Sequence, residues 1–295
     1  MRVLVAGATG YIGRLLALRL AEDGAPPRVM ARSPGKAKDL AAAGCEVVPG
    51  DVLRRETLAE PLEGVDVAYY LVHSMGRGGE GDFADRDRQG AENFAAVAAE
   101  KGVGTIIYLG GLSDGGSKHL ESRHATAGYL ASTGIPVTYF RAAAVIGAGS
   151  ESFRTVYYLV KRLPAMVTPR WVGTKTQPIA VADVIEYLAA APSVTQSRGR
   201  EIEIGGPDVT TYGGMMDAIS DAMDARRRPR IPVPFLTPYL SSLWIGLVTP
   251  VDAGVARPLI EGLSTETIVK DPSGMELFDI EPTPMDEAMR SALQE

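Results

Sequence analysis

The chain opens with three glycines at a spacing of three residues, placed directly after a short apolar run. Residues 2–6 are mostly aliphatic and include two β-branched valines, a composition that predicts a buried β-strand. Gly7, Gly10 and Gly13 follow, and the apolar residues beyond them recur largely at helical spacing. The start of the chain is therefore predicted to form a strand, a glycine-rich turn and a helix, in that order.

A glycine-rich turn between a strand and a helix suits the pyrophosphate of a dinucleotide. The first glycine permits the tight turn, the second lets the backbone approach the phosphates, and the third lets helix and strand pack closely. The helix N-terminus adds unpaired N–H groups and the positive end of the helix dipole. An ordinary glycine-rich turn is the alternative, but the flanking strand and helix favour a dinucleotide site. Its predicted contacts come from Gly7, Thr9, Gly10, Tyr11, Ile12 and Gly13.

A basic loop follows the second predicted strand, Arg28–Ala31. NAD-selective proteins usually carry an Asp or Glu near this point, which holds the ribose 2′-hydroxyl. This chain carries Arg32, Ser33 and Lys36 instead, and these cations and the hydroxyl suit a 2′-phosphate. A solvated basic loop without a ligand is the alternative. Because the acid is missing and the bases are present, the sequence favours NADP(H) over NAD(H).

Composition describes an ordinary globular protein. Its 295 residues are 45% hydrophobic and 22% charged, enough for one large α/β domain or two small ones. The net charge of −6 gives no electrostatic reason to expect nucleic acid or an anionic membrane as a partner. Cys45 is the only cysteine, which excludes a disulfide within the chain and a cysteine metal site, and we predict no metal. No basic and apolar leader precedes the first strand, so we expect a cytoplasmic protein.

The motif GATGYIG resembles that of the extended and atypical short-chain dehydrogenases/reductases. The segment Gln177–Val184, interpreted as a strand and a helix capped by Asp183, resembles the NmrA-like branch, as does Gly205–Tyr212. With the alternation of predicted strands and helices, this predicts an α/β fold with a doubly wound parallel Rossmann sheet. We expect a Rossmann NAD(P)-binding core over residues 1–150 and a small substrate-side cap region over residues 151–295, interleaved with the core.

The resemblance also implies contacts further along the cofactor. It places Asp51, with Val52 beside it, at the adenine edge, although Asp51 is equally suited to cap the next helix. It places Leu71, Val72 and His73, at the end of the fourth predicted strand, beside the ribose and the nicotinamide. The carboxyl ends of parallel strands are where open α/β sheets bind ligands.

The standard catalytic residues that the resemblance implies are incomplete. Typical members carry a Ser at the end of the fifth strand and Tyr-x-x-x-Lys on the next helix, whereas this chain has Ser113 and no Tyr-x-x-x-Lys there. It has His119 and Arg123 instead, four residues apart and so on one helix face. With His73 and Ser113, these are the candidate catalytic residues. A guanidinium disfavours a nearby imidazolium, so we expect His119 to be mostly neutral at pH 7.

Three classes of function fit this set of residues. The first is an NADPH-dependent reductase of a small apolar, aromatic or cyclic carbonyl, quinone or enone compound, since a neutral imidazole is a poor proton source for a simple ketone. The second is a redox sensor that binds the cofactor without turnover. The third is an assembly protein of a larger complex. The resemblance implies the last two, and intact cofactor residues beside an altered catalytic site leave all three open.

The stretch Pro232–Pro258 is apolar, broken by prolines, and too short between them to span a bilayer. A helix packed in the core or at a homodimer interface is one interpretation. The other is a lid whose aromatic residues line an apolar substrate pocket.

Overall fold

The computed structural model describes residues 1–73, 83–112, 118–163, 165–233 and 262–295. Its strands are β1 (Val3–Ala6), β2 (Arg28–Ala31), β3 (Glu46–Pro49), β4 (Val67–Tyr70), β5 (Thr105–Gly111), β6 (Val137–Ala142), β7 (Val145–Ile146), β8 (Met166–Thr168), β9 (Lys175–Thr176), β10 (Ile179–Ala180), β11 (Glu201–Ile204), β12 (Thr210–Thr211) and β13 (Arg230–Pro232). Its α-helices are α1 (Tyr11–Glu22), α2 (Lys38–Ala42), α3 (Phe83–Glu100), α4 (Lys118–Ala131), α5 (Glu151–Arg162), α6 (Val181–Ala190), α7 (Tyr212–Ala222) and α8 (Met285–Gln294).

Seven of the strands form one parallel sheet in the order β3-β2-β1-β4-β5-β6-β11. Helices α1 to α4 alternate with its first six strands along the chain. The predicted doubly wound Rossmann sheet is thereby confirmed. The strand order changes direction between β1 and β4, and a switch of this kind leaves a crevice at the carboxyl ends of the strands.

The register of the sheet brings three strand ends to one level. Ala6, the last residue of β1, lies opposite Met30 of β2 and opposite Tyr70 of β4. The glycine-rich turn, the basic loop and the segment after β4 therefore leave the sheet from the same edge.

Both faces of the sheet are buried, which explains why its strands are continuous apolar runs rather than alternating ones. All four residues of β1 are buried. Leu16 of α1 and Tyr187 of α6 pack on one face, and Phe94 of α3 and Leu130 of α4 pack on the other. Full burial of side chains of this size contributes about 1.5–3 kcal/mol each, so the sheet is a rigid base for the loops at its edge.

A third apolar cluster lies beyond the sheet. It joins Phe153 of α5, Trp171, Tyr212 of α7 and Met289 of α8. Three two-stranded pairs accompany it, β7 with β10, β9 with β12, and β8 with β13. The strand β11 comes from the same later part of the chain but pairs with β6 in the main sheet.

The predicted cap of α6 by Asp183 is wrong. The helix begins at Val181, and Asp183 is buried within its first turn. Its carboxylate accepts hydrogen bonds from the backbone N–H (2.8 Å) and the hydroxyl (2.7 Å) of Thr283. Asp183 therefore fastens the C-terminal part of the chain to α6 instead of capping the helix.

Candidate cofactor and substrate cleft

The glycine-rich turn is shaped by contacts that leave no room for side chains. Gly7 has φ +91°, and a Cβ on it would collide with the carbonyl group of Leu71. A Cβ on Gly13 would collide with the carbonyl group of Gly7. Turn and helix are closed by a hydrogen bond from the Gly10 N–H to the Gly7 carbonyl oxygen, 2.9 Å long. Two of the three glycines are thus required by the packing of strand, turn and helix.

The third glycine faces open space at the start of α1. Among the described residues, a Cβ on Gly10 would meet only the Gly7 carbonyl oxygen, at 3.2 Å. No side chain of the described residues caps this helix, its first turn holds no acidic residue, and Thr9 and Gly10 are exposed. The N–H groups of the first turn are therefore available to an anion, and the turn fits a pyrophosphate.

Tyr11 and Ile12 begin α1 beside this space. The Tyr11 ring packs against Gly147 and Gly149, where a Cβ would collide with it, and its hydroxyl donates to Glu295 (3.3 Å). Burial, with a smaller contribution from Glu295, raises the Tyr11 pKa to about 12. Tyr11 can thus offer its backbone N–H to a ligand while its ring joins α1 to the loop after β7.

The predicted basic loop lies at the same edge, directly after β2. Arg32, Ser33 and Lys36 are all exposed there, and a 3₁₀-helix covers Pro34–Ala37. Arg32 forms no hydrogen bond or ion pair with any described residue. An exposed guanidinium beside an exposed ammonium and a hydroxyl fits a 2′-phosphate.

Asp51 and Val52 lie at the end of β3. Asp51 Oδ1 accepts the N–H of Leu53 (3.1 Å), which makes a local turn rather than the expected helix cap, because the following 3₁₀-helix begins only at Arg55. Val52 is buried, and its carbonyl oxygen accepts from the Asn93 side-chain amide (2.9 Å). The proposed role of Asp51 at an adenine edge stays a prediction.

The segment after β4 runs beside the glycine-rich turn. The Leu71 N–H donates to the Ala6 carbonyl oxygen (2.9 Å), and Leu71 and Val72 are half-buried. Solvent reaches the His73 side chain, yet the surrounding protein removes enough water to lower its pKa from 6.5 to about 4, and Arg123 acts in the same direction. A side chain that is open to solvent and still largely surrounded by protein lines a cleft.

Arg123 of α4 points back towards the sheet. Its Nη2 donates to the Leu109 carbonyl oxygen of β5 (3.1 Å), and its backbone carbonyl accepts the Tyr108 hydroxyl (3.1 Å). Its buried Nε has no partner among the described residues. The structure therefore brings two of the catalytic candidates, His73 and Arg123, near one another at the ends of β4 and β5.

The other two catalytic candidates are described less fully. His119 lies in the first turn of α4, one helical turn before Arg123, and its side chain lies outside the described residues. Ser113 lies outside the described residues altogether, and so do residues 234–258 of the apolar stretch. The lowered pKa expected for His119 stays a prediction; at His73, burial first and Arg123 second lower the pKa to about 4.

Two buried residues near the cleft have no clear sequence signal. Tyr139 of β6 stacks on Tyr108 (5.2 Å between ring centroids), its hydroxyl is buried, and burial raises its pKa above 10. Arg141, also on β6, is buried and pairs with Glu201 (2.6 Å) of β11. A raised pKa and a buried hydroxyl make Tyr139 a weak proton donor.

Two searches of the described residues gave no candidate. They hold no cluster of three or more His, Cys, Asp or Glu side chains that could bind a metal ion. None of the helices formed by these residues combines the length and the apolar character that crossing a membrane requires.

Comparison with known proteins identifies a family and several relatives. The model of a family described as NAD(P)H-binding matches residues 7–192. A mitochondrial protein of Arabidopsis thaliana, NADH dehydrogenase [ubiquinone] 1 alpha subcomplex subunit 9, is 27% identical over 300 residues, which cover 95% of this chain and 73% of that protein. A (4-alkanoyl-5-oxo-2,5-dihydrofuran-3-yl)methyl phosphate reductase of Streptomyces griseus is 28% identical over 220 residues, covering 71% of this chain and 69% of the relative.

Solved structures share the fold along the whole chain. The triphenylmethane reductase of Citrobacter sp. superposes with a TM-score of 0.80 at 18% identity, covering 100% of each chain. An NADPH-dependent quinone oxidoreductase of Escherichia coli, solved with NADPH, superposes with a TM-score of 0.76 at 20% identity, covering 99% of this chain and 100% of the other.

Proposed function

The chain belongs to the NAD(P)H-binding family, and we propose that it is an NADPH-dependent reductase of a small apolar, conjugated acceptor such as a quinone or an enone. The observation that carries the proposal is the position of His73 beside the Arg123 guanidinium at the carboxyl end of β4, where burial and that cation lower the His73 pKa to about 4. Two further observations support it: among the described residues, no side chain caps the first turn of α1 and none pairs with Arg32.

The chain's own residues would divide the work as follows. Bound NADPH supplies a hydride. The first turn of α1 holds the pyrophosphate by backbone N–H groups, and Arg32, Ser33 and Lys36 hold the 2′-phosphate. Arg123 orients the ribose and makes the cleft electropositive, while His73, with His119 or Ser113, hydrogen-bonds the acceptor oxygen.

The protonation state of His73 selects the acceptor. With a pKa of about 4 its imidazole is neutral at pH 7, so it can donate a hydrogen bond but is a poor source of a proton. Hydride addition to a saturated ketone leaves an alkoxide that needs a proton at once. Hydride addition to a quinone or an enone leaves an anion whose charge is delocalised, and water can protonate it later.

The names of two similar proteins agree with this choice. The relative from Streptomyces griseus is named as a reductase of a 5-oxo-2,5-dihydrofuran compound, and the neighbour from Escherichia coli is named as a quinone oxidoreductase. Both names pair reduction with a cyclic oxygen-bearing acceptor, which is the class of acceptor proposed for this chain.

The experiment that tests the function measures NADPH oxidation with three matched acceptors. We expect steady turnover with a simple benzoquinone and with cyclohexenone, and no turnover with cyclohexanone, which has the same ring without conjugation. Rapid reduction of cyclohexanone while the other two stay inert would contradict the proposal.

A second candidate function is a cofactor-binding subunit without turnover. It is favoured by the extent of the Arabidopsis thaliana match, which covers 95% of this chain against 71% for the Streptomyces griseus reductase. This candidate predicts stoichiometric NADPH binding, no oxidation with any acceptor, and co-purification of the chain with a larger complex.

A further inference from the structure

We propose that Arg14 is a positioning residue that gives the cofactor site its selectivity for a 2′-phosphate, by holding the basic loop against α1. The inference rests on the proposed preference for NADPH. Sequence patterns assign only Arg32, Ser33 and Lys36 to the phosphate, and Arg14 lies on a helix between them and the glycine-rich turn.

Arg14 bridges three parts of the chain. It lies in the first turns of α1, where its backbone N–H makes the first bond of the helix, to the Gly10 carbonyl oxygen (2.9 Å). Its Nη2 donates to the carbonyl oxygen of Lys36 (3.0 Å), and its Nη1 forms an ion pair with Asp39 of α2. One side chain thus joins the start of α1 to the basic loop, through Lys36, and to α2, through Asp39.

The basic loop has little else to hold it. Within residues 33–37 only Ala37 is buried; a single 3₁₀ turn covers Pro34–Ala37, and a bond from the Lys36 N–H to the Ser33 carbonyl oxygen (3.0 Å) opens it. Among the described residues, Arg14 makes the only side-chain hydrogen bond to the backbone of this loop. Without it, the Lys36 ammonium and the neighbouring Arg32 would have to be ordered at the moment of binding, which lowers affinity.

The charges explain why Arg14 acts through the loop rather than as a phosphate ligand. Asp39 already neutralises the Arg14 guanidinium, so a phosphate would have to displace that carboxylate to bind Arg14 directly. Arg32, by contrast, has no ionic partner among the described residues. The Arg14 and Asp39 side chains are 37% and 44% exposed, and pairs this exposed add little to global stability, so removal of Arg14 should leave the fold intact.

The test compares Arg14→Met with Arg19→Met, a matched control on the same helix. Arg19 also carries two ion pairs, with Asp23 (3.2 Å) and Glu186, but it lies at the other end of α1. Calorimetry would measure the Kd of NADPH, NADH and 2′,5′-ADP, the last of which carries the phosphate without the nicotinamide. For Arg14→Met we expect about fivefold weaker binding of NADPH and 2′,5′-ADP and less than about twofold change for NADH, the size of one half-exposed contact. Arg19→Met should change none of the three.

A double-mutant cycle separates positioning from direct contact. In a variant with Arg32→Met and Lys36→Met, adding Arg14→Met should cost little further NADPH affinity, because both cationic phosphate ligands that Arg14 would position are already gone. Arg14→Lys should recover part of the wild-type affinity, since it keeps the charge and one donor.

The outcomes that overturn the inference are distinct from those that overturn the proposed cofactor. Additive losses in the cycle, equal losses for NADPH and NADH, or no loss in Arg14→Met would each end the role of Arg14 while wild-type selectivity for NADPH stands. Equal wild-type affinities for NADPH and NADH would remove the proposed selectivity and this inference together.

Discussion

The two halves of the cleft are built in opposite ways. The half on the β1 and β2 side depends on missing side chains, since Gly7 and Gly13 allow contacts that a Cβ would prevent. The half at the ends of β4, β5 and β6 depends on long side chains that meet from distant positions, such as Arg123 against Leu109 and Arg141 against Glu201. A site built from backbone groups can be recognised in the sequence from a short local motif. A site built from contacts between distant side chains cannot.

The sharpest way to test this contrast is Gly10→Val. A side chain there would occupy the space that the phosphates need, while the protein itself leaves that space open. We expect loss of NADPH and NADH binding by more than about 10²-fold with the fold preserved, measured by calorimetry and by thermal unfolding. Gly13→Val is the matched variant, and it should lower the unfolding temperature because its side chain meets the Gly7 backbone. A folded Gly10→Val protein with normal NADPH binding would show that the turn is not the phosphate site.

The basic loop gives the next largest effect. Arg32→Glu replaces a charge-assisted contact of about 1.5–3 kcal/mol with a repulsion, so NADPH affinity should fall by roughly tenfold to 10²-fold and the preference should invert towards NADH. Lys38→Glu is the control, because Lys38 is exposed nearby and undergoes the same charge change. Equal effects of the two substitutions would indicate that the net charge of the region, rather than a direct contact of Arg32, determines NADPH affinity.

Substitutions in the half of the cleft at the ends of β4, β5 and β6 should have smaller effects. His73→Ala removes a hydrogen-bond donor but no proton source, so kcat with a quinone should fall about tenfold, and by no more than about 10²-fold, with NADPH affinity kept. The same limit applies to His119→Ala. His124→Ala is the control, since His124 is exposed on the same helix with its ring 6.0 Å from Tyr139. A loss of kcat well beyond 10²-fold would make a histidine the proton donor.

The smallest effect concerns pH. The His73 pKa lies near 4 in the folded protein and near 6.5 in the unfolded chain, so His73 does not change charge in the folded protein between about pH 5 and pH 8. A pH profile of kcat/KM should therefore show no inflection from His73 near 6.5. Because the unfolded chain binds this proton first, the contribution of His73 to stability is present above about pH 6.5 and is lost as pH falls towards 4. His73→Ala should flatten that part of the acid denaturation curve, and an unchanged curve would contradict the assigned pKa.

Much of the frame could be predicted because it rests on local patterns. The strand Arg28–Ala31 was placed at its observed bounds, and the strand, turn and helix predicted for the start of the chain are observed as β1, the glycine-rich turn and α1. Buried parallel strands are apolar on both faces, so they appear in the sequence as short continuous apolar runs. The glycine-rich turn and the basic loop were found for the same reason, because each directly follows such a run.

The rest could not be predicted because it depends on partners far along the chain. Asp183 stands where a helix cap would, but Thr283 binds it from a hundred residues later. In the sequence, Arg14 is an ordinary polar residue of a helix, and only the structure shows its contacts with Lys36 and Asp39. The sequence named His73 as a candidate, but the drop in its pKa comes chiefly from burial and then from Arg123, neither of which a sequence shows.

The pairing of β11 with β6 has a consequence for synthesis of the chain. β6 ends at Ala142, and its outer neighbour begins only at Glu201. About 60 further residues must therefore be synthesised after β6 before the sheet can be completed. During that interval the open edge of β6 presents unpaired N–H and C=O groups, and Arg141 lacks the carboxylate of Glu201. At a synthesis rate of about 5–20 residues per second, a nascent chain with this unpaired strand edge exposed persists for several seconds. Newly made chains are therefore most prone to aggregate just before residue 204 emerges, which makes that window the natural point of action for a chaperone.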